Sequence, residues 1–389
     1  MRTAFVTNFC PFYRVKLFQI LRERIAARFL FFSDASEKNW EQLNPQHSSE
    51  FAVVALHSPP AGKWRVLWRL ARHLWTTPYD IFIQGVSGKF AVLISYAIAR
   101  LKRRPIILWT GFWNHPTTAF HRLTFPLVRY MYRHADALVG YGTHVRDYLR
   151  SLDVPSERIF IAYNTADNPR YNIPVPPEEI ARLRAELGAG DALIALFVGR
   201  LEHAKGVDIL LEALAALEPA QRPLLLINGR GPAQTTLQVV CKQHNLSSVR
   251  FLDYVPNETL YRYYAIADIV IVPSRTTKDF KEPWGLVVNE AMNQGCVVIA
   301  SDAVGAARGG LLEDGVNGLI FPEGDAAALA QALRHVITDE PLRRWLSETA
   351  RATIAGWTYE RMAQGFIAAV DFVRAAGFEQ VRQPLHNSH

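Results

Sequence analysis

The 389-residue sequence contains only three cysteines, Cys10, Cys241 and Cys296. They are odd in number, far apart and without metal-ligand spacing, which argues against a disulfide framework or a zinc site and for the reducing cytosol. Long apolar runs are scarce. The longest candidate span, residues 90–99, is about half of the ~20 residues a helix needs to cross a bilayer. The opening stretch MRTAFVTNFCPFYR has no continuous apolar run of the signal-peptide kind, so a cytoplasmic protein is expected. No Gly-x-Gly-x-x-Gly follows an apolar run; Gly229-x-Gly231 lacks the third glycine, which argues against a dinucleotide oxidoreductase. Low-complexity tracts and short repeats are missing too. With 49% hydrophobic and 20% charged residues, extensive disorder is excluded.

What is present is a chain long enough for two or three domains and a charge that divides unevenly. Residues 1–170 carry 23 Lys and Arg against 11 Asp and Glu, whereas residues 171–389 carry 20 against 25. Short apolar runs alternate with stretches of helical period, the pattern of βαβ units and parallel sheets. In the first half this predicts strands at 3–7, 51–55, 81–83, 106–109, 137–139 and 159–161, with helices near 13–28, 62–75, 88–101, 120–134 and 142–151. In the second half it predicts strands at 193–198, 224–227, 249–252, 269–272, 297–300 and 319–321, with helices near 207–217, 233–244, 257–266, 286–294 and 325–336. The expected architecture is α/β: two doubly wound Rossmann-like domains facing a central cleft, over residues 1–168 and 179–355. A proline-rich linker (169–178) joins them, a last helix (356–377) returns toward the first domain, and a loose tail (378–389) follows.

The most informative segment is PSRTTKDFKEPWGLVVNEAMNQGCVVIA, residues 273–300. It leaves a strand, crosses a polar loop and starts a helix near Gly285. The first amides, around Gly285, Leu286 and Val287, point their partial positive charge at any phosphate or carboxylate placed there. Glu282 and Glu290 flank this helix start, far enough apart to hold different parts of one ligand. Carboxylates accept paired hydrogen bonds from vicinal hydroxyls, so Glu290 suits a ribose diol and Glu282 the hydroxyls of a sugar. By itself an E-x7-E pattern is most often two surface charges; the Pro-x-Gly before the helix and the Gly-Cys-Val-Val-Ile-Ala-Ser after it reduce the weight of that reading. Earlier, FVGRLEHAKGVDILLEAL ends a strand and turns into a helix through Gly199, Arg200, Lys205 and Gly206. There Arg200 and Lys205 can neutralise a dianionic leaving group.

These segments resemble the retaining nucleotide-sugar glycosyltransferases of family 4, the group 1 glycosyltransferases, which have the two-domain GT-B fold. The resemblance is specific over residues 196–326, through GRLEHAKG, NGRGP, EPWGLVVNEAM, GCVVIASDAVG and DGVNGLIFPEGD, and weaker in the first half. It implies that Arg200 and Lys205 hold the donor diphosphate, Glu282 the transferred sugar and Glu290 the ribose. It further implies that backbone at Leu286 and Val287 meets the diphosphate and that the base lies near Asn228-Gly229 and Tyr254-Val255. The catalytic set it points to is Glu282, His115, Lys205 and Arg200. Many family members have a Gly-Gly loop after the first strand. This chain reads Thr7-Asn8-Phe9-Cys10-Pro11-Phe12-Tyr13-Arg14 instead, similar to a subgroup of bacterial polysaccharide transferases with a Pro-x-Tyr-Arg loop. Asn8 and Arg14 are therefore candidates for side-chain donors, and Asn114 and His115, in the loop after the strand ending at Trp109, for the acceptor side.

No Asp-x-Asp occurs, so no metal or other cofactor is expected; a nucleoside diphosphate sugar is the donor substrate. The basic half contains GKWRVLWRLARHLW, residues 62–75, where Trp64, Leu67, Trp68, Ala71 and Trp75 share a helical stripe beside Lys and Arg. That pattern suits a helix lying on an anionic bilayer, with residues 100–104 adding charge, and equally an ordinary core-facing helix with a solvated basic face. The balance favours peripheral association with the inner face of the cell membrane and a glycan or lipid-linked acceptor, in synthesis of cell-envelope polysaccharide or glycolipid. A GT-B sugar-nucleotide epimerase, a non-catalytic nucleotide-sugar binder and, more remotely, a basic nucleic-acid-binding protein remain as rivals; no nucleic-acid partner is expected.

Overall fold

The computed structural model describes residues 1–32, 51, 62–86, 89–253 and 255–382. The chain forms two compact units, Met1–Trp113 with Ala119–Tyr163 and Tyr359–His389, and Asn114–Thr118 with Asn164–Thr358. In the first unit, β1 (Thr3–Thr7), α1 (Val15–Ile25), β2 (Ala27–Phe31), α2 (Lys63–Thr76), β3 (Ile81–Gly85), α3 (Lys89–Leu101), β4 (Ile106–Thr110), α4 (Ala119–His134), β5 (Ala137–Gly140), α5 (Thr143–Ser151) and β6 (Ile159–Ile161) build a six-stranded parallel sheet ordered β2-β1-β3-β4-β5-β6. Its strands are buried on both faces, which is why they read as continuous apolar runs such as TAFVT and IILWT.

Alternate strand residues supply two cores. Val6, Phe82 and Leu108 face Leu70 and Leu74 of α2, Ala99 of α3 and Met131 of α4. Phe5, Ile83 and Trp109 face the opposite side, against Leu17 and Phe18 of α1 and a C-terminal helix.

The second unit runs through α6 (Asn168–Tyr171), α7 (Pro177–Glu186), β7 (Ile194–Val198), α8 (Val207–Ala215), β8 (Leu224–Asn228), α9 (Gln234–Gln243), β9 (Val249–Phe251), α10 (Leu260–Ile266), β10 (Ile269–Val272), α11 (Leu286–Gln294), β11 (Val297–Ser301), α12 (Gly305–Arg308), β12 (Leu319–Phe321), α13 (Ala326–Thr338) and α14 (Glu340–Ala355). Its sheet is also parallel, ordered β12-β11-β10-β7-β8-β9. The chain then rejoins the first unit as α15 (Tyr359–Arg382), which lays Phe366 and Val370 on the aromatic cluster around Phe5. Both sheets are doubly wound.

Two expectations change, and a third falls almost wholly outside the described residues. The helix expected at 13–28 stops at Ile25: Ala26 takes a left-handed conformation (φ 49°), its N–H donates to Leu21 O, and residues 27–31 become the edge strand β2. Of the strand expected at 51–55 only Phe51 lies within the described residues, buried against Phe18 and Phe29. Four helices without a sequence expectation are present among the described residues, the short α6 and α12 and the longer α7 and α14. Asp339 caps α14, accepting from Leu342 N at 2.9 Å.

Candidate donor-binding site

In the second unit the adjacency of β10, β7 and β8 brings three loops together at the carboxyl ends of those strands. Backbone hydrogen bonds join them. Gly199 N donates to Asn228 O (3.0 Å), Leu201 N to Arg230 O (2.9 Å) and Arg275 N to Ala204 O (2.9 Å). These loops approach so closely that several positions admit only glycine. A Cβ on Gly229 would lie 1.8 Å from Gly199 O, and one on Gly206, which is left-handed at φ 67°, would lie 1.9 Å from Pro273 O. Gly206 and Gly229, together with Gly231, where a Cβ would lie 2.3 Å from Leu201 O, are thus requirements of loop packing.

Lys205, held in this turn, reaches the carboxylate of Glu282 and forms an ion pair with it. Ser274 Oγ donates to the same Glu282 oxygen at 3.2 Å, and the Lys205 ammonium stands 5.3 Å from the Phe280 ring centre. Glu282 is buried (8% exposed), and its backbone is fixed by Gly305 N donating to its carbonyl at 3.1 Å. Trp284, also buried, donates its Nε1–H to Asn289 Oδ1 at 2.7 Å, locking the entry to α11. The helix starts at Leu286 from Gly285, which has no side chain to cap the first amides, so those donors stay available to an anion. Arg200 lies elsewhere in the same loop: its side chain is 54% exposed and pairs with Glu202 at 3.0 Å. Glu202 had no sequence-derived role.

Glu290, in the second turn of α11, accepts from Tyr264 Oη at 2.7 Å and also from Tyr171. Burial pushes its carboxyl pKa above the ordinary carboxylate range, opposed by those two hydroxyl donors and by the charge of Arg170. Tyr264 and Tyr171 are the residues that sequence reasoning missed. Tyr171 comes from α6, tied to α11 by Asn293 Nδ2 donating to Asn168 Oδ1 (3.0 Å) and Gln294 Nε2 to Tyr171 O (2.6 Å). No local sequence signal joins Tyr171 to a glutamate more than a hundred positions away, or Tyr264 to one 26 positions on. Asn228 is buried, and its Oδ1 accepts from Val255 N at 3.3 Å, which fixes the Asn228-Gly229 turn. Tyr254 lies outside the described residues.

Of the remaining candidates, Asn8 and Arg14 belong to the first unit. Asn8 is half-buried and accepts from Thr7 Oγ1 at 3.1 Å. Arg14 is buried among the rings of Tyr13, Trp109 and Tyr141, 5.3, 5.4 and 5.6 Å from their centres, and donates to Met362 Sδ at 3.1 Å. Burial raises the Tyr13 phenol pKa to about 12. Asn114 and His115, assigned by sequence to the first domain, group with the second unit, where Thr117 N donates to Lys278 O at 2.7 Å.

Two doubly wound six-stranded sheets, one with a cationic, amide-lined loop cluster, define a GT-B class protein. Two family models match, "Glycosyl transferases group 1" over residues 179–353 and "Glycosyl transferase 4-like domain" over residues 19–165, together most of the chain. The chain belongs to the group 1 glycosyltransferases. Among curated proteins it is 30% identical over 260 residues to an alpha-D-kanosaminyltransferase of Streptomyces kanamyceticus, covering 65% of each chain. It is 34% identical over 223 residues to a D-inositol 3-phosphate glycosyltransferase of Geodermatophilus obscurus, covering 52% of this chain and 47% of that one. The matched region thus spans between about half and just under two thirds of these relatives' length. Two solved structures share the fold: HepE of Anabaena in complex with UDP-glucose (TM-score 0.73, 20% identity, 97% of this chain and 100% of that one) and a sucrose-phosphate synthase of Thermosynechococcus elongatus (TM-score 0.71, 20% identity, with the same coverage).

Proposed function

We propose that the protein is a retaining glycosyltransferase that moves a sugar from a nucleoside diphosphate sugar to a hydroxyl of a glycan or lipid-linked acceptor, in cell-envelope polysaccharide or glycolipid synthesis at the inner face of the membrane. The observation that carries this reading is the Lys205–Glu282 pair beside the uncapped start of α11. It sets a cation and a helix dipole where a diphosphate develops charge, and a carboxylate where a sugar presents hydroxyls. Glu290 takes the ribose diol, and Arg200, leaving Glu202, adds a second cation to the leaving group. The acceptor oxygen bonds to the anomeric carbon as the carbon–phosphate oxygen bond breaks, on the same face. The acceptor proton passes to the departing diphosphate oxygen, so the reaction uses neither a protein base nor a metal. The UDP-glucose bound by Anabaena HepE supports a nucleotide-sugar donor.

A donor screen by thermal shift tests the site, since a ligand at ~100 times its dissociation constant adds about 2.7 kcal/mol to stability. Glu282→Gln and Lys205→Ala should each lower turnover by on the order of 10²–10³. Parental rates in either variant would refute the assignment.

A further inference from the structure

We infer that the helical layer α2–α3–α4 of the first unit is a docking surface for an anionic phospholipid bilayer. These helices cover one face of the sheet and serve its core through residues such as Val66, Leu70, Leu74, Ala99 and Met131. Leu67, which the sequence groups with the tryptophans, belongs to this buried set at 7% exposure. The tryptophans do not: Trp64, Trp68 and Trp75 are 71%, 62% and 55% exposed. At 100° per residue the three rings fall within an arc of about 40°, a second apolar stripe that the core leaves unused. α4 repeats the feature with Leu123 (81% exposed) and Leu127 (46%), one turn apart. Of the large hydrophobic residues exposed among the described ones, nine lie on these three helices and four in the whole second unit. Such a concentration marks an interaction surface rather than scattered exposure.

Charge selects the partner. None of the three helices contains an Asp or Glu, while together they carry nine Lys and Arg. Among the described residues, Arg65, Arg69 and Arg72 of α2 enter no ion pair, and the Arg72 guanidinium lies 5.7 Å from the Trp68 ring centre. Tryptophan rings flanked by unpaired arginines match the boundary between headgroups and acyl chains of an anionic leaflet. The structure engages three of the four cations of residues 100–104 within the first unit itself. Arg100 pairs with Asp136 at 2.9 Å and Arg104 lies 3.8 Å from Asp80. Lys102 donates to Leu74 O, Trp75 O and Thr77 O at 3.0, 3.0 and 2.8 Å, closing the C-terminal end of α2.

The test needs no donor or acceptor and so stands apart from the transfer reaction. Flotation of the full chain is compared with vesicles of phosphatidylglycerol plus phosphatidylcholine and of phosphatidylcholine alone. Binding should require the anionic lipid and fall with salt. The triple Arg65→Gln, Arg69→Gln, Arg72→Gln variant should bind roughly 100-fold more weakly, at about fivefold per charge. The triple Trp64→Ala, Trp68→Ala, Trp75→Ala variant should lose binding while its circular dichroism spectrum and melting temperature match the parent. Equal binding to both vesicle types, or parental binding by both variants, would overturn the inference. So would a dimer that the tryptophan variant dissolves in a protein that binds no vesicle, since the occupant would then be a second copy.

Discussion

Glu290 shows how a single residue trades stability for a site. Its folded pKa lies above the ordinary carboxylate range, so the native state holds that proton more tightly than the unfolded chain does. The stabilisation is fully present below the ordinary carboxylate pKa and is lost as pH rises through the folded value. At neutral pH this burial is therefore a cost to stability, moderated by the Tyr264 and Tyr171 hydroxyls. Glu290→Gln keeps an acceptor for those hydroxyls and removes the charge. The ligand-free variant should melt at a higher temperature than the parent at pH 7, with the difference vanishing near pH 4. Donor affinity should fall about tenfold or more, since hydrogen bonds to a charged group contribute roughly 1.5–3 kcal/mol. Thermal unfolding across pH and donor titration together measure both effects.

At the scale of elements, the site depends on loops that touch backbone to backbone. The turn from β7 into α8 carries Lys205, and its position is set by Gly206 against the Pro273 carbonyl. Gly206→Ala forces a left-handed residue to carry a Cβ, at about 1–2 kcal/mol, and pushes the β10 loop outward as well. We expect a loss of at least about 2 kcal/mol in urea unfolding, with turnover reduced more than the stability loss alone explains, because Lys205 moves relative to Glu282. Equal stability of variant and parent would mean that the loops tolerate separation.

At the scale of the whole molecule, the chain leaves the first unit at Tyr163 and comes back to it at Tyr359. The first unit therefore depends on residues more than three hundred positions from its first strand. Phe366 of α15 lies 5.7 Å from the Phe5 ring centre and 5.4 Å from that of Trp109, fully buried. Phe366→Ala should cost about 3–5 kcal/mol by opening a cavity in that aromatic cluster. Urea unfolding followed by near-UV circular dichroism should show the loss, and a change under about 1 kcal/mol would mean that α15 is dispensable. The charge division belongs to this scale too: the basic surplus lies in the first half, whereas the anionic donor is assigned to the mildly acidic second half, through a few placed donors.

Much of the fold was legible in the sequence because parallel strands covered on both faces must be continuous apolar runs, and βαβ crossovers space them regularly. Among the described residues, eleven of the twelve strands lie where that pattern places them. β2 was hidden because RFLFF follows α1 with no polar break, and the stop at Ala26 is conformational rather than compositional. Glu282, Glu290, Arg200 and Lys205 stood out locally, by spacing against a helix start. Only the tertiary structure decided their partners: Glu282 for Lys205, 77 positions away, Tyr264 and Tyr171 for Glu290, and Glu202 for Arg200. The same holds for α2, where periodicity makes two apolar stripes visible but only the packing of distant strands determines which is buried. Local pattern sets what a segment can form; the neighbours it meets in space set which of its groups remain free to act.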